Sequence, residues 1–266
     1  MNQVLLCFYG YGMRAFYSLF FMLVFFWSCS HSSPNHADCT CTSFEIKEVV
    51  RTIPDCDEYQ DCTSVKLKFP KISSGLHADR INEDILKSVA QGIRPENEDK
   101  TSVDELVSEF FNSYKEFAEK FPDTSYGWYH EVECEVSRLD SKVLALTYSV
   151  SSFTGGAHPN SNTLYYNYDL TTGEVIELKD MLKTADKAKL DEAVGTAFKK
   201  MKGIDTEVDL TELLRGYVDK FEANDNFLLK DDGVVFYYNS YEIAPYSEGP
   251  SKVFVSYADI PFFTKI

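Results

Sequence analysis

Basic residues are scarce in this chain of 266 residues. Lysine and arginine together number 26 against 42 aspartates and glutamates, which leaves a formal net charge of −16. Nucleic acids and anionic membrane surfaces are bound through basic side chains, so this charge excludes both as partners of the folded part. A cationic partner would instead be attracted over long range.

Familiar catalytic and metal-binding patterns are also missing. The sequence contains no HExxH, no nucleophile elbow and no paired-carboxylate motif, and its five histidines lie in separate contexts. We therefore predict no catalytic residue, no metal and no cofactor. An enzyme is the alternative, because a catalytic triad can assemble from residues that are distant in sequence.

The N-terminal segment has the composition of an export signal. Arg14 precedes an apolar run at residues 15–27, which is too short for a comfortable transmembrane helix, and Ser28 and Cys29 follow. This ending resembles a lipoprotein signal, so we expect removal of residues 1–28 and a lipid on Cys29. A conventional or uncleaved signal is the alternative. Met1 and Met13 are both compatible with the start of translation.

These features predict an extracytoplasmic protein, held at the membrane by a lipid anchor alone, on the periplasmic or outer-membrane side of the envelope. Residues 29–41 are small and polar and are interpreted as a tether. Exported cysteines usually oxidise, and Cys56 and Cys62 flank a short polar loop between two strand-like runs, which predicts a disulfide between them. The pairing of Cys39, Cys41 and Cys134 stays open.

The folded part alternates between strand and helix patterns. Strand-like runs dominate, and amphipathic patterns of period 3.6 predict helices near residues 78–91, 101–121, 185–201 and 209–224. We expect the strand that begins near Val65 to stop at Pro70. The order predicts an α+β fold, with a mainly antiparallel sheet packed against amphipathic helices. We assign a smaller subdomain to residues 42–125 and a C-terminal domain to residues 126–266.

Two segments offer candidate binding residues. Glu131, Glu133 and Glu135 alternate along one predicted strand, opposite an inward face that includes His130. This acidic stripe is either a solvated face or a docking surface for a basic protein. The tyrosine-rich loop at residues 241–250 could supply binding hot spots or could only hold itself against its own sheet, and its candidate residues are Tyr241, Pro245 and Tyr246.

The segment "TGGAH" lies between two aromatic-rich runs. Gly155 and Gly156 permit positive φ, so we interpret the segment as a tight corner that ends at His158. His158 is kept as a candidate binding residue.

Several phrases together resemble known extracytoplasmic domains. "SFTGGAHPN", "YYNYDLTTGEVIELKDML" and "FLLKDDGVVFYYNSYEIAPYSEGP" are similar to the C-terminal domain of unknown function of RsiV-like anti-sigma factors, which bind lysozyme. "VKLKFPKI" and the helix after it resemble the smaller domain that accompanies the catalytic domain in PdaC-type peptidoglycan deacetylases. We expect neither a sigma-binding segment nor a deacetylase domain here. The resemblance implies a non-catalytic module for a cationic protein such as lysozyme, or for a cell-wall glycan. The alternative is a cell-wall enzyme that acts on peptidoglycan, or an accessory to one.

Overall fold

The structure is a computed structural model that describes residues 3–4, 42–54, 62–93, 102–122 and 126–266. The predicted signal, apart from residues 3–4, lies outside the described residues, as do Cys29 and Cys56. Within the described ranges, no helix is both long enough and apolar enough to cross a membrane.

A seven-stranded sheet, with strand order β1 to β7, forms the larger part of the fold, and a three-stranded sheet of order β10-β9-β8 forms the rest. The strands are β1 Gln3–Val4, β2 Ser43–Thr52, β3 Ser64–Ser74, β4 Tyr129–Leu139, β5 Val143–Phe153, β6 Asn160–Asp169, β7 Glu174–Val175, β8 Phe227–Leu229, β9 Gly233–Tyr238 and β10 Ser251–Ser256. The α-helices are α1 Ala78–Ile93, α2 Val103–Lys120, α3 Lys187–Lys202 and α4 Leu210–Leu213.

All neighbouring strands pair antiparallel except β3 and β4, which are parallel. Parallel strands need a long connection, and α1 and α2 supply it. The predicted α+β class with a mainly antiparallel sheet is therefore confirmed. The boundary predicted between residues 125 and 126 falls between α2 and β4, and β3 and β4 pair across it.

Pro70 does not end its strand, which corrects one expectation. β3 continues to Ser74, and Pro70 lies opposite Ile46 of β2. β3 pairs with β4 only through residues 64–68. Beyond that point β3 has β2 as its one paired neighbour, and a strand with one open side accommodates a proline, which lacks an amide N–H.

The helix α2 begins as its sequence predicts. Ser102 is the N-cap, and its hydroxyl accepts a hydrogen bond from the amide of Glu105 at 3.5 Å. Phe110 and the other buried residues of α2 face the sheet. Phe121, the last residue of the helix predicted near residues 101–121, is 51% exposed because it lies just beyond the end of α2.

The helix predicted for residues 209–224 is mostly wrong. Only α4 is helical there, and Gly216 takes a φ of 99°, which is incompatible with continuing the helix. Leu210, Leu214 and Phe221 are buried nonetheless. Turns rather than helical geometry bring these apolar side chains to the core.

The two faces of the large sheet have different covers. On one face, α1 and α2 bury alternate residues of β3, β4 and β5, including Leu144 and Leu146. On the other face, α3 and the small sheet cover only one end, where Val143 and Ala145 are buried. No described element covers the rest of this second face, which carries polar side chains.

Asparagine side chains join the small sheet to β6. Asn226 accepts from the amide of Tyr165 at 2.8 Å and donates to the carbonyl of Thr163 at 2.8 Å. Asn239 accepts from the amide of Thr163 at 2.7 Å. Asn167 of β6 donates to the carbonyl of Phe227 at 2.8 Å. These amides take the place of a partner strand along this edge of β6.

Candidate functional site

A groove of about 610 Å³ lies on the second face of the large sheet, beside the part that α3 and the small sheet cover. Its floor is formed by outward residues of β3, β4, β5 and β6, and one wall comes from β9 and the loop that follows it. Hydroxyl and amide side chains are frequent in this lining: Ser149, Ser151, Ser161, Asn162, Thr163 and Ser240. We call this the polar groove.

Two ion pairs cross the floor of the polar groove. The Nζ atom of Lys66 lies 2.7 Å from Oε1 of Glu131, and the Nζ atom of Lys68 lies 2.5 Å from Oε1 of Glu133. The parallel register of β3 and β4 aligns each lysine with its glutamate. The hydrogen bond that Lys68 donates to the carboxylate of Glu133 raises the pKa of Lys68. Two of the three glutamates of the predicted acidic stripe are therefore neutralised locally, because β3 presents lysines at the matching positions.

Three aromatic side chains from two loops form a cluster beside the groove. The ring of His158 stacks on the ring of Tyr246, with centroids 4.1 Å apart and an interplanar angle of 18°. The ring centroids of Tyr241 and Tyr246 are 5.6 Å apart, and the hydroxyl of Tyr241 is 3.5 Å from Nε2 of His158. Tyr241 and Tyr246 remain 57% and 40% exposed. We call these three residues the aromatic cluster.

Backbone conformation positions both loops of the cluster. Gly155 and Gly156 have φ values of 94° and 107°, which confirms the predicted corner between β5 and β6. Tyr241 has a φ of 71°, the one positive value outside glycine among the described residues. A bulky residue in this region costs about 1–3 kcal/mol, and such strain concentrates at functional sites.

A second groove of about 720 Å³ adjoins the first. It shares Lys66 and Glu131 with the polar groove and is lined by His158, whereas Tyr246 lines the polar groove. Tyr129 and Phe153 stack on its floor with centroids 6.3 Å apart. We call this the aromatic groove. The stacked His158–Tyr246 pair therefore stands at the border of two connected depressions.

The structure brings together most of the residues that the sequence singled out. His158, Tyr241 and Tyr246 form the aromatic cluster, and Glu131 and Glu133 lie on the groove floor. Glu135 is exposed on the same strand face but does not line either groove. Pro245 is half-buried and precedes the short turn that carries Tyr246.

Sequence reasoning missed the serines and lysines of the groove. Their only signal was the alternation of Lys66 and Lys68 along β3, which matches the alternation of Glu131 and Glu133 along β4. The parallel pairing that sets one against the other depends on the α1–α2 crossover. That pairing cannot be read from either strand alone.

Other candidate reactive groups are buried away from both grooves. His130 is 2% exposed, its Nε2 has no hydrogen-bond partner among the described residues, and burial lowers its pKa to about 4. Cys134 is a free thiol in the core, and burial raises its pKa to about 12. Cys62 is disulfide-bonded, but Cys56 lies outside the described residues, so their pairing stays a prediction. No group of three or more potential metal ligands occurs among the described residues.

Two family models match the chain. Residues 179–258 match a family described as "Protein of unknown function (DUF3298)", and residues 56–161 match one described as "Deacetylase PdaC". Both families agree with the resemblances seen in the sequence, but "SFTGGAHPN", which was compared with the C-terminal domain, lies inside the PdaC match. His158 lies in the PdaC match and both tyrosines of the aromatic cluster lie in the DUF3298 match, so the cluster forms where the two regions meet.

Solved structures of DUF3298 family proteins share this fold. The structure from Bacteroides fragilis has 20% sequence identity to this chain and a TM-score of 0.66. The match covers 85% of this chain and 96% of the Bacteroides fragilis chain. Another from Pseudomonas aeruginosa is 19% identical, with a TM-score of 0.62 over 84% of this chain and 94% of its own. No curated protein matches the chain.

Proposed function

We propose that this protein is a lipid-anchored, extracytoplasmic binding module without catalytic activity, and that its aromatic cluster docks a cationic protein such as lysozyme. The observation that carries the proposal is the meeting of three partly exposed rings from two distant loops. The DUF3298 and PdaC matches fit an envelope-associated module.

Charge and ring geometry contribute in different ways. The net charge of −16 attracts a basic protein and raises its association rate at low ionic strength. The aromatic cluster contributes after contact, because rigid tyrosines that lose little conformational entropy are frequent binding hot spots. The stacking of Tyr246 on His158 also fixes the two loops before a partner arrives, which lowers the entropic cost of binding.

Lysozyme-type proteins immobilised on a biosensor test this proposal. We expect the association rate of the full-length protein to fall as salt rises, and Tyr246→Ala to raise the dissociation rate with little change in melting temperature. Tyr217→Ala is the matched control, because Tyr217 is 46% exposed and lines neither groove. Absence of binding to every lysozyme class at low ionic strength would refute the lysozyme assignment. A large drop in melting temperature would instead make Tyr246 a structural residue.

A peptidoglycan-acting enzyme is the second candidate, and the family name "Deacetylase PdaC" is the observation that favours it. If it is correct, the protein should hydrolyse or deacetylate purified peptidoglycan, and His158→Ala should abolish that activity. A protein that leaves both the glycan and its acetyl groups intact would fit the binding module.

A further inference from the structure

The polar groove and the aromatic groove adjoin on the second face of the large sheet. They share Lys66 and Glu131 on their floor, and the His158–Tyr246 stack lies at their border. The polar groove alone is within the range of about 300–1,000 Å³ that is typical of small-molecule sites. An extended ligand can therefore lie across both grooves, whereas a compact one fills only one of them.

The charges on the floor disfavour a strongly charged ligand. Two lysines and three glutamates line the polar groove, and two of the glutamates are paired with the lysines at 2.7 and 2.5 Å. The carboxylates would repel a polyanion. A polycation would compete with the lysines for the glutamates that they already pair with. Paired charges still offer ammonium donors and carboxylate acceptors to a neutral ligand.

The uncharged lining favours a ligand rich in hydroxyl groups. Ser149, Ser151 and Ser161 are closely spaced, because β5 and β6 pair Ser151 directly with Ser161. A serine hydroxyl donates and accepts hydrogen bonds, as a sugar hydroxyl does. The rings of Tyr246 and Tyr129 add flat apolar surfaces on which the C–H face of a sugar ring can pack.

We propose that the two grooves bind a neutral, linear glycan, whose sugar rings lie across the second sheet face and pack against the His158–Tyr246 stack. This deepens the proposed binding role by assigning a second ligand class to a surface next to the protein-docking cluster. Because the glycan extends over both grooves, binding should strengthen with the length of the oligosaccharide.

Chitohexaose, a neutral hexasaccharide, is the probe for full-length protein. We expect saturation-transfer NMR to show transfer from the protein to its C–H protons, and calorimetry to show weaker binding of chitobiose. Ser149→Trp fills the polar groove and should weaken chitohexaose binding by about tenfold or more. Val175→Trp is the control, because Val175 is 38% exposed on β7 and lines neither groove. Melting temperatures of both variants verify that they fold.

Three results would overturn the proposal. These are absence of saturation transfer to chitohexaose, unchanged binding by a folded Ser149→Trp variant, or tighter binding of an anionic hyaluronan hexasaccharide. Tyr246→Ala supplies a second variant, which should weaken chitohexaose binding through loss of the ring stack. Since no lysozyme is present in this assay, its failure would leave the lysozyme measurement unaffected, and the reverse also holds.

Discussion

Replacing His130 by glutamine should reduce the acid sensitivity of the fold. His130 of β4 is packed beneath α2, with its ring centroid 6.4 Å from that of Phe110, and is flanked in the sheet by Val65 and Ser152. Burial lowers its pKa from 6.5 to about 4, and the nearby carboxylate of Glu131 offsets only part of that effect. His130 is therefore neutral in the native protein at neutral pH.

The lowered pKa fixes the sign and size of the effect. Between the two pKa values the unfolded chain binds a proton that the native protein does not, so acidification favours unfolding. The contribution is fully present above about pH 6.5, is lost as the pH falls and levels off below about pH 4. From about pH 7.5 to about pH 5, the loss is about 2 kcal/mol in the free energy of unfolding.

Urea denaturation at these two pH values measures the effect. The wild-type protein should lose about 2 kcal/mol more than His130→Gln over this interval, although the variant is less stable at neutral pH because it loses ring packing. His158→Gln is the matched control substitution, because His158 lies half-buried on the surface, outside the core that surrounds His130. Equal acid sensitivity of wild type and His130→Gln would refute the assigned pKa.

Three further predictions concern the anchor, the disulfide and the joint between the sheets. Metabolic labelling with a fatty-acid analogue should mark the wild-type protein but not Cys29→Ala, and persistent labelling of the variant would exclude this cysteine as the lipidation site. Non-reducing peptide mapping should find Cys56 linked to Cys62, with a stabilisation of about 2–3 kcal/mol, and recovery of both as free thiols would contradict the pairing. Asn226→Ala should cost about 1–3 kcal/mol, because it removes the acceptor of the part-buried Tyr165 amide of β6; an unchanged melting temperature would show that water replaces the side chain.

Elements with a complete local pattern were predictable from the sequence. The N-cap Ser102 and the apolar residues that follow it define α2, and the residues around Asp140 define the turn between β4 and β5. In both cases the information lies within a few residues of the element. The same holds for the glycine corner before His158, where positive φ values at consecutive glycines were required.

Features that depend on distant pairing were not predictable. The stripe around Glu133 looked like an isolated acidic surface, because nothing local indicates that Lys68 is its neighbour in a parallel pair. The helix wrongly predicted for residues 209–224 has the opposite cause, because there a local pattern was present but the structure does not follow it. Its leucines recur at helical spacing, yet Gly216 breaks the backbone and tertiary contacts bury Leu210 and Leu214 without a continuous helix.

The asparagine side chains that join the small sheet to β6 allow the surface of β6 to change without loss of the fold. Asn167 joins the sheets through its own side chain, but Asn226 and Asn239 bind the main chain of Thr163 and Tyr165, so these two contacts impose no requirement on the side chains at those positions of β6. Ser161 and Thr163 of that strand also line the polar groove. Their side chains can therefore change, and the ligand preference of the groove with them, while the two sheets stay joined.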